Sequence, residues 1–295
     1  IRSAEHLWGQ DVPSTTDALL AETNPKAKAA CIGPAGENLV LMAAIMNDKD
    51  RAAARSGVGA VMGSKNLKGV VAYGRKNPVF AEEKKMRELS IKIAKEVGAD
   101  MLAGSSLREH GTAYVPQVTN TLGILPTRNW QAGTFEGVDT IDGPTLTEKY
   151  LIKPKPCYRC PIACGRLTEV PDGPYAGKGE GPEYETISSF GSGCGVDNLA
   201  AVTKANYWCN ELGLDTISTG MTIAVAMEMV EKGYLSEEKI GQPLRFGDPD
   251  AMIDMVQKMA YREGFGDELA EGSYRFADKY GHPELAVTTR KQEFP

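Results

Sequence analysis

Apolar and polar positions follow two different periods along this chain, and the change of period divides it. Up to about Arg75 the apolar residues come in short runs bounded by glycine turns, so Lys28–Ile32, Leu39–Ile45 and Gly69–Tyr73 are predicted strands between loops. From Pro78 the spacing becomes helical: Met86, Leu89, Ile93 and Val97 share one face, and Gly98 ends the run. Asp197 is placed to cap a helix over Leu199–Leu212 that Gly213 stops. Further helices are predicted over Gly220–Glu231, closed by Gly233, and from Pro249, with Met252, Met255, Val256 and Met259 on one face and Gly264 at the end. A last one spans Glu268–Tyr280, ended by Gly281 and Pro283. Between the first helix and this group lies Gly104–Pro182, rich in glycine and proline with little period; loops that long are usually functional. The expected fold is an α+β portion over residues 1–75 followed by a mainly α-helical domain over residues 76–295.

Composition narrows the function classes. A chain of 295 residues with 42% apolar content can bury a substantial core in one large or two ordinary domains. Its formal charge of −6 opposes contact with nucleic acid or an anionic membrane. No apolar run approaches the roughly 18 residues of a membrane span, and no segment has the layout of a signal peptide, so a soluble, cytoplasmic protein is expected. The chain starts at Ile1 without methionine and stops at Pro295 after the polar stretch Thr288–Glu293, which reads as an internal piece of a longer protein. Its 11 methionines, many on helix faces, are expected to fill the core.

Of the 6 cysteines, Cys157, Cys160 and Cys164 crowd into one short loop, while Cys31, Cys194 and Cys209 are scattered. Thiolates two and three residues apart in a loop can turn to one metal centre, and their softness selects iron–sulfur or zinc. The spacing matches neither the adenosylmethionine-cleaving radical enzymes nor simple ferredoxins. Zinc would need a fourth ligand, and no histidine follows at finger-like spacing, so the cluster is favoured.

Other stretches are weaker alone. Gly57-Val58-Gly59-Ala60-Val61-Met62-Gly63-Ser64-Lys65 has the wrong spacing for a dinucleotide turn and the wrong order for a phosphate loop, yet with Arg51 and Arg55 upstream its amides suit another phosphate-bearing cofactor. A tight glycine turn between strands explains it equally well. Glu180-Gly181-Pro182-Glu183-Tyr184-Glu185 sets carboxylates on an extended segment, where they serve acid–base chemistry if desolvated, though solvated carboxylates are commoner. Asn210-Glu211-Leu212-Gly213-Leu214-Asp215 reads by itself as a helix end, and His6, His110 and His282 have no ligand spacing.

Together these stretches resemble the aldehyde ferredoxin oxidoreductase family of tungsten enzymes, along nearly the whole chain. The resemblance rests on Ile32–Asn38, Arg51–Lys68, the Cys157 loop, Gly181–Glu185 and Glu211–Gly220, all in the family's order. It implies a tungsten or molybdenum atom held by two pyranopterins, with a 4Fe–4S cluster nearby and a magnesium ion bridging the pterin phosphates. Residues 1–75 would then be the end of the β-rich pterin-binding domain. Arg51, Ala52, Ala54 and Arg55 match a phosphate- and pterin-contacting stretch; Leu214 and Asp215 match a second, in which Asn210 stands where the family usually has aspartate. Glu185 matches a glutamate near the metal that positions water or moves a proton. Cys157, Cys160 and Cys164 would bind three irons, with the fourth thiolate beyond Pro295. Lys204-Ala205-Asn206-Tyr207 replaces the Glu-x-x-His pattern through which some relatives share a metal between subunits. The implied activity is oxidation of an aldehyde with water to a carboxylic acid, electrons leaving to ferredoxin or another carrier. The remaining parts of the same enzyme are implied partners, in a homo-oligomer or a larger complex. A tungsten enzyme reducing an activated aromatic acid, and a non-catalytic iron–sulfur or zinc module, are the alternatives.

Overall fold

Four short strands, β1 (Lys28–Cys31), β2 (Ile45–Asn47), β3 (Arg51–Ala53) and β4 (Gly69–Ala72), form an antiparallel sheet in the order β3-β2-β1-β4. The computed structural model describes residues 1–100 and 102–295. Alternate residues of β1, Ala29 and Cys31, are buried, as a strand with one covered face requires. The helix α1 (Val12–Glu22) packs against β1 and is capped by Asp11, whose carboxylate accepts from Ser14 N at 2.7 Å. The strand expected over 39–45 is displaced to Ile45–Asn47. The backbone of Met42 to Ala44 is instead bonded to Gly59 and to residues 213–215, which leaves it no sheet partner. The glycine stretch is not a loop between strands: Gly57 opens a short helix, α2 (Val58–Gly63).

The predicted amphipathic helix is present as α3 (Glu83–Ala99), but none of its side chains is buried. Residues 104–182 are not a long loop. They hold several short helices and an antiparallel meander of β5 (Leu151–Lys155), β6 (Gly165–Val170) and β7 (Gly177–Glu180). Elements of four to eight residues are too short to establish a period, which is why the pattern does not reveal them.

Three long helices hold the core: α4 (Leu199–Leu212), α5 (Thr216–Glu231) and α6 (Pro249–Tyr261). Asn198, not Asp197, caps α4, its side chain accepting from Ala201 N at 3.2 Å. Helix α5 starts before Gly220 because Asp215 satisfies the first free amides, accepting from Ile217 N at 3.4 Å and Ser218 N at 3.2 Å. Arg262, in the left-handed region at φ 53°, ends α6 ahead of Gly264. The helix expected over 268–280 is two, Gly266–Leu269 and Ser273–Lys279, parted by Gly272 at φ 82°. Met221, Met227, Met252, Met255 and Met259 lie buried in this core, each worth about 1.5–3 kcal/mol of burial.

Candidate functional site

The site is built on the segment Met42 to Ala44, which ties two distant stretches together. On one side Gly59 N donates to Ala43 O at 2.9 Å, and a Cβ on Gly59 would lie 2.7 Å from the Ala43 carbonyl carbon, so only glycine lets α2 lie backbone to backbone here. On the other, Ala44 N donates to Gly213 O at 2.8 Å, Asp215 N donates to Met42 O at 3.0 Å, and Leu214 bridges Ala43. These bonds bring the turn after β3 to the start of α5. Arg55 Nη1 accordingly stands 3.7 Å from the Asp215 carboxylate, and Arg55 Nη2 donates to the Glu293 carbonyl.

Glu185 reaches the same place from a single helical turn, Tyr184–Thr186, which runs into a wider π-type turn over Ile187–Ser192 packed on α5. Such wide turns recur at functional sites. Burial pushes the Glu185 carboxyl above the ordinary range; Arg55 pulls it back and Asp215 raises it further. Burial also raises Asp215, against its bond to Ser218 and the pull of Arg55. Arg55 Nη1 and Glu185 Oε2 are both buried without a hydrogen-bond partner. A cavity of about 620 Å³ opens beside this group, lined by Ser56, Gly57, Asp215, Ser218, Arg275 and Glu293 among others.

The cysteine loop is the tip of the β5–β6 hairpin, whose last paired residues are Lys155 and Gly165. Cys160 N donates to Cys157 O at 3.0 Å, and Arg159 (φ 57°) and Ala163 (φ 61°), each just before a cysteine, turn the chain through the left-handed region. Cys157 is exposed, and Cys160 and Cys164 are half-buried. Among the described residues no three His, Cys, Asp or Glu gather closely enough for a single metal ion.

An ion network underlies the hairpin. Arg51 Nη2 donates to Lys155 O at 3.1 Å and pairs with Glu180; Lys155 pairs with Asp50 and, at 2.9 Å, with Glu180. Glu180 is 4% exposed, and its oxygens have these ion partners but no aligned hydrogen bond. Its carboxyl is raised by burial against the pull of Lys155 and Arg51. Thus Arg51 touches the base of the cysteine hairpin while Arg55, a turn of chain later, touches Asp215.

The residues singled out in the sequence therefore divide. Arg55, Asp215 and Glu185 are neighbours, and Arg51 stands at the base of the hairpin that carries the three cysteines. Leu214 is 2% exposed and offers only its backbone, Ala52 is exposed on the edge strand β3, and Ala54 is half-buried. Asn210 is apart from Asp215: its Nδ2 donates to Glu180 O at 3.2 Å, and it lines a separate cavity of about 190 Å³ with Asp50, Tyr207 and Glu211. Cys31, Cys194 and Cys209 are buried, and burial pushes all three thiols up. Sequence reasoning missed Lys155, Arg166 and Glu293, and named Glu180 only within its run of carboxylates; the signal for the first two was a basic residue two positions outside each end of the cysteine run.

A small antiparallel sheet joined to a helical domain, with three cysteines on one hairpin, is the architecture of an oxidoreductase family. Residues 1–74 match the family described as aldehyde ferredoxin oxidoreductase, N-terminal domain, and residues 88–295 match aldehyde ferredoxin oxidoreductase, domains 2 and 3. The chain belongs to the aldehyde ferredoxin oxidoreductase family. Its whole length is 46% identical to a tungsten-containing aldehyde ferredoxin oxidoreductase of Pyrococcus furiosus and 47% identical to that of Thermococcus kodakarensis, covering 49% of each. It is 33% identical, over 95% of its length and 47% of the relative's, to an aliphatic sulfonate oxidoreductase WOR-like subunit of Pyrococcus furiosus. The active-site complex BamBC of benzoyl coenzyme A reductase, solved with 1,5-dienoyl-CoA, superposes with a TM-score of 0.79 at 26% identity, over 99% of this chain and 46% of that one. The chain spans about half the length of these relatives.

Proposed function

We propose that this chain is part of an enzyme that oxidises an aldehyde with water to a carboxylic acid at a tungsten or molybdenum bis-pyranopterin centre. The observation that carries this reading is the meeting of Arg55, Asp215 and Glu185 beside a cavity, with Glu185 Oε2 buried and without a hydrogen-bond partner. Buried polar groups are almost always satisfied, so such orphans mark where a polar cofactor completes the site. When bound, the pterin-held metal supplies two-electron chemistry and a 4Fe–4S cluster relays the electrons singly to ferredoxin or a similar carrier.

The protein's part is to hold and orient. Arg51 and Arg55 would hold the pterin phosphates, with magnesium as a further counter-ion to them, and Ala52 and Ala54 would bring backbone close to the cofactor. Leu214, through its backbone, and Asp215 would form the second contact, while the Asn210 amide, turned to Glu180 O and a separate cavity, falls outside it. Cys157, Cys160 and Cys164 bind three irons. Glu185, its carboxyl raised by burial, takes and returns a proton near the metal. Residues 1–75 are the end of the pterin-binding domain and 76–295 the cluster- and pterin-binding helical domain, completed by the rest of the enzyme in a homo-oligomer or larger complex. No helix among the described residues is long and apolar enough to cross a membrane.

The likeness to the benzoyl coenzyme A reductase complex favours a second reading, reduction of an activated aromatic acid. A panel of aldehydes with a dye acceptor, run anaerobically on the full-length protein, separates the two. Aldehyde-dependent dye reduction supports the first, and its absence with every aldehyde favours the second.

A further inference from the structure

Arg166 has no assigned role, and its surroundings are unusual. It is the second residue of β6, two positions after Cys164, and only 1% exposed. Its Nη2 donates to the carbonyls of Leu107 at 2.8 Å and Arg108 at 2.6 Å, which fixes the guanidinium from one side. Nε and Nη1 are buried with no acceptor at all. A Cβ added to Gly111 would lie 2.5 Å from the Cys164 carbonyl and 2.9 Å from Arg166 Nε, so glycine there keeps this nitrogen beside the cysteine loop. The charged groups that act on Arg166 are Glu183 and Cys164. Glu183 is no answer to the two free nitrogens, since it forms no ion pair with Arg166 and its carboxylate already accepts from Thr112.

A buried cation without a counter-charge costs several kcal/mol, and a protein keeps one only where an anion completes it. We infer that Arg166 is the built-in counter-charge of the iron–sulfur cluster, its free Nε and Nη1 facing the negative charge carried by the cluster and its cysteine thiolates. This rests on the reading of the cysteine hairpin as a cluster site. Arg166 is then a positioning and tuning residue. Reduction adds one negative charge to the cluster, and a fixed cation with N–H groups directed at sulfur stabilises that reduced form, holding the midpoint potential up.

The test is a redox titration of the cluster by electron paramagnetic resonance in the full-length holoenzyme, with iron determined in parallel. Arg166→Gln should keep its iron and titrate at a lower potential than wild type, Arg166→Lys should lie between, and Arg108→Gln, an exposed neighbour, should leave the potential unmoved. A fully loaded Arg166→Gln protein titrating at the wild-type potential overturns the inference and leaves Arg166 a packing residue. If the Gln variant loads no cluster, the Lys variant decides: loading restored by the retained charge supports the counter-charge role, and an equally empty Lys variant overturns it. A wild-type enzyme without any cluster signal would instead sink the functional reading itself.

Discussion

The two halves of the site are built to different degrees of completeness. Around Arg55 and Asp215 the scaffold is closed: Asp215 is 3% exposed, it caps α5, and backbone bonds from Met42 to Ala44 hold both stretches in register. The cysteine hairpin is open, with Cys157 exposed and Tyr158 86% exposed at its tip, although its base is pinned by Arg51, Glu180 and Lys155. On the proposed function, the difference teaches that the Arg55–Asp215 side is preorganised by local backbone bonding, whereas the cysteine hairpin would be finished by the metal it binds. What the two share is a charged side chain with a buried atom left without a hydrogen bond: Glu185 on one, Arg166 on the other.

The largest effect expected from breaking the open half is loss of the cluster. Cys157→Ser, Cys160→Ser or Cys164→Ser should each cost iron and abolish or convert the paramagnetic signal, while Cys194→Ser, at a fully buried thiol bonded to Gly220 O, should leave both intact. A Cys194→Ser protein that loses its cluster would move the fourth ligand into this chain.

In the closed half, Glu185→Gln should lower turnover by roughly 10²–10⁴-fold with metal content unchanged, the usual worth of a positioned acid–base group. Since Glu185 acts as a carboxylate and its carboxyl is raised, wild-type activity should fall on acidification above the ordinary carboxylate range, a limb the Gln variant lacks. Steady-state pH profiles check this. Without cofactor the same shift runs against stability: the folded state holds the proton that the unfolded state releases, so wild-type stability should fall as pH rises from the ordinary carboxylate value through the raised one, less so in Glu185→Gln. Equal slopes in thermal unfolding of both proteins would contradict the burial.

A smaller loss follows from Arg55→Gln, which removes charge-assisted contacts worth about 1.5–3 kcal/mol. Pterin and tungsten or molybdenum should leak from the purified variant while the cluster stays. Retention of both cofactors in full would place Arg55 with Asp215 and Glu293 alone. The smallest effect is outside the site: Asn198→Ala should cost about 1 kcal/mol in chemical denaturation by freeing the first turn of α4, and Asp197→Ala nearly nothing.

How much of this the sequence disclosed depended on the length of each element. Helices α4 to α6 were legible because caps, stops and apolar faces repeat over several turns, and even there the cap moved from Asp197 to Asn198, one residue that geometry alone decides. The meander β5–β7 was not legible, since β6 alternates over only six residues and β7 is Gly-Lys-Gly-Glu. Arg51, Arg55, Glu185, Asp215 and the cysteines are candidates by their motif order, which carries more information than any one of them. Lys155, Arg166 and Glu293 are not, and Glu180 is named without its ion partners, because burial and pairing across distant strands give a charged residue its meaning, and no local pattern encodes them.

The central claim is that one chain holds a pterin contact surface and most of a cluster site side by side. Anaerobic elemental analysis of the full-length protein tests it most directly. The account predicts iron together with tungsten or molybdenum, four irons to each such atom, and no stoichiometric zinc. Iron alone, or zinc in its place, would contradict it.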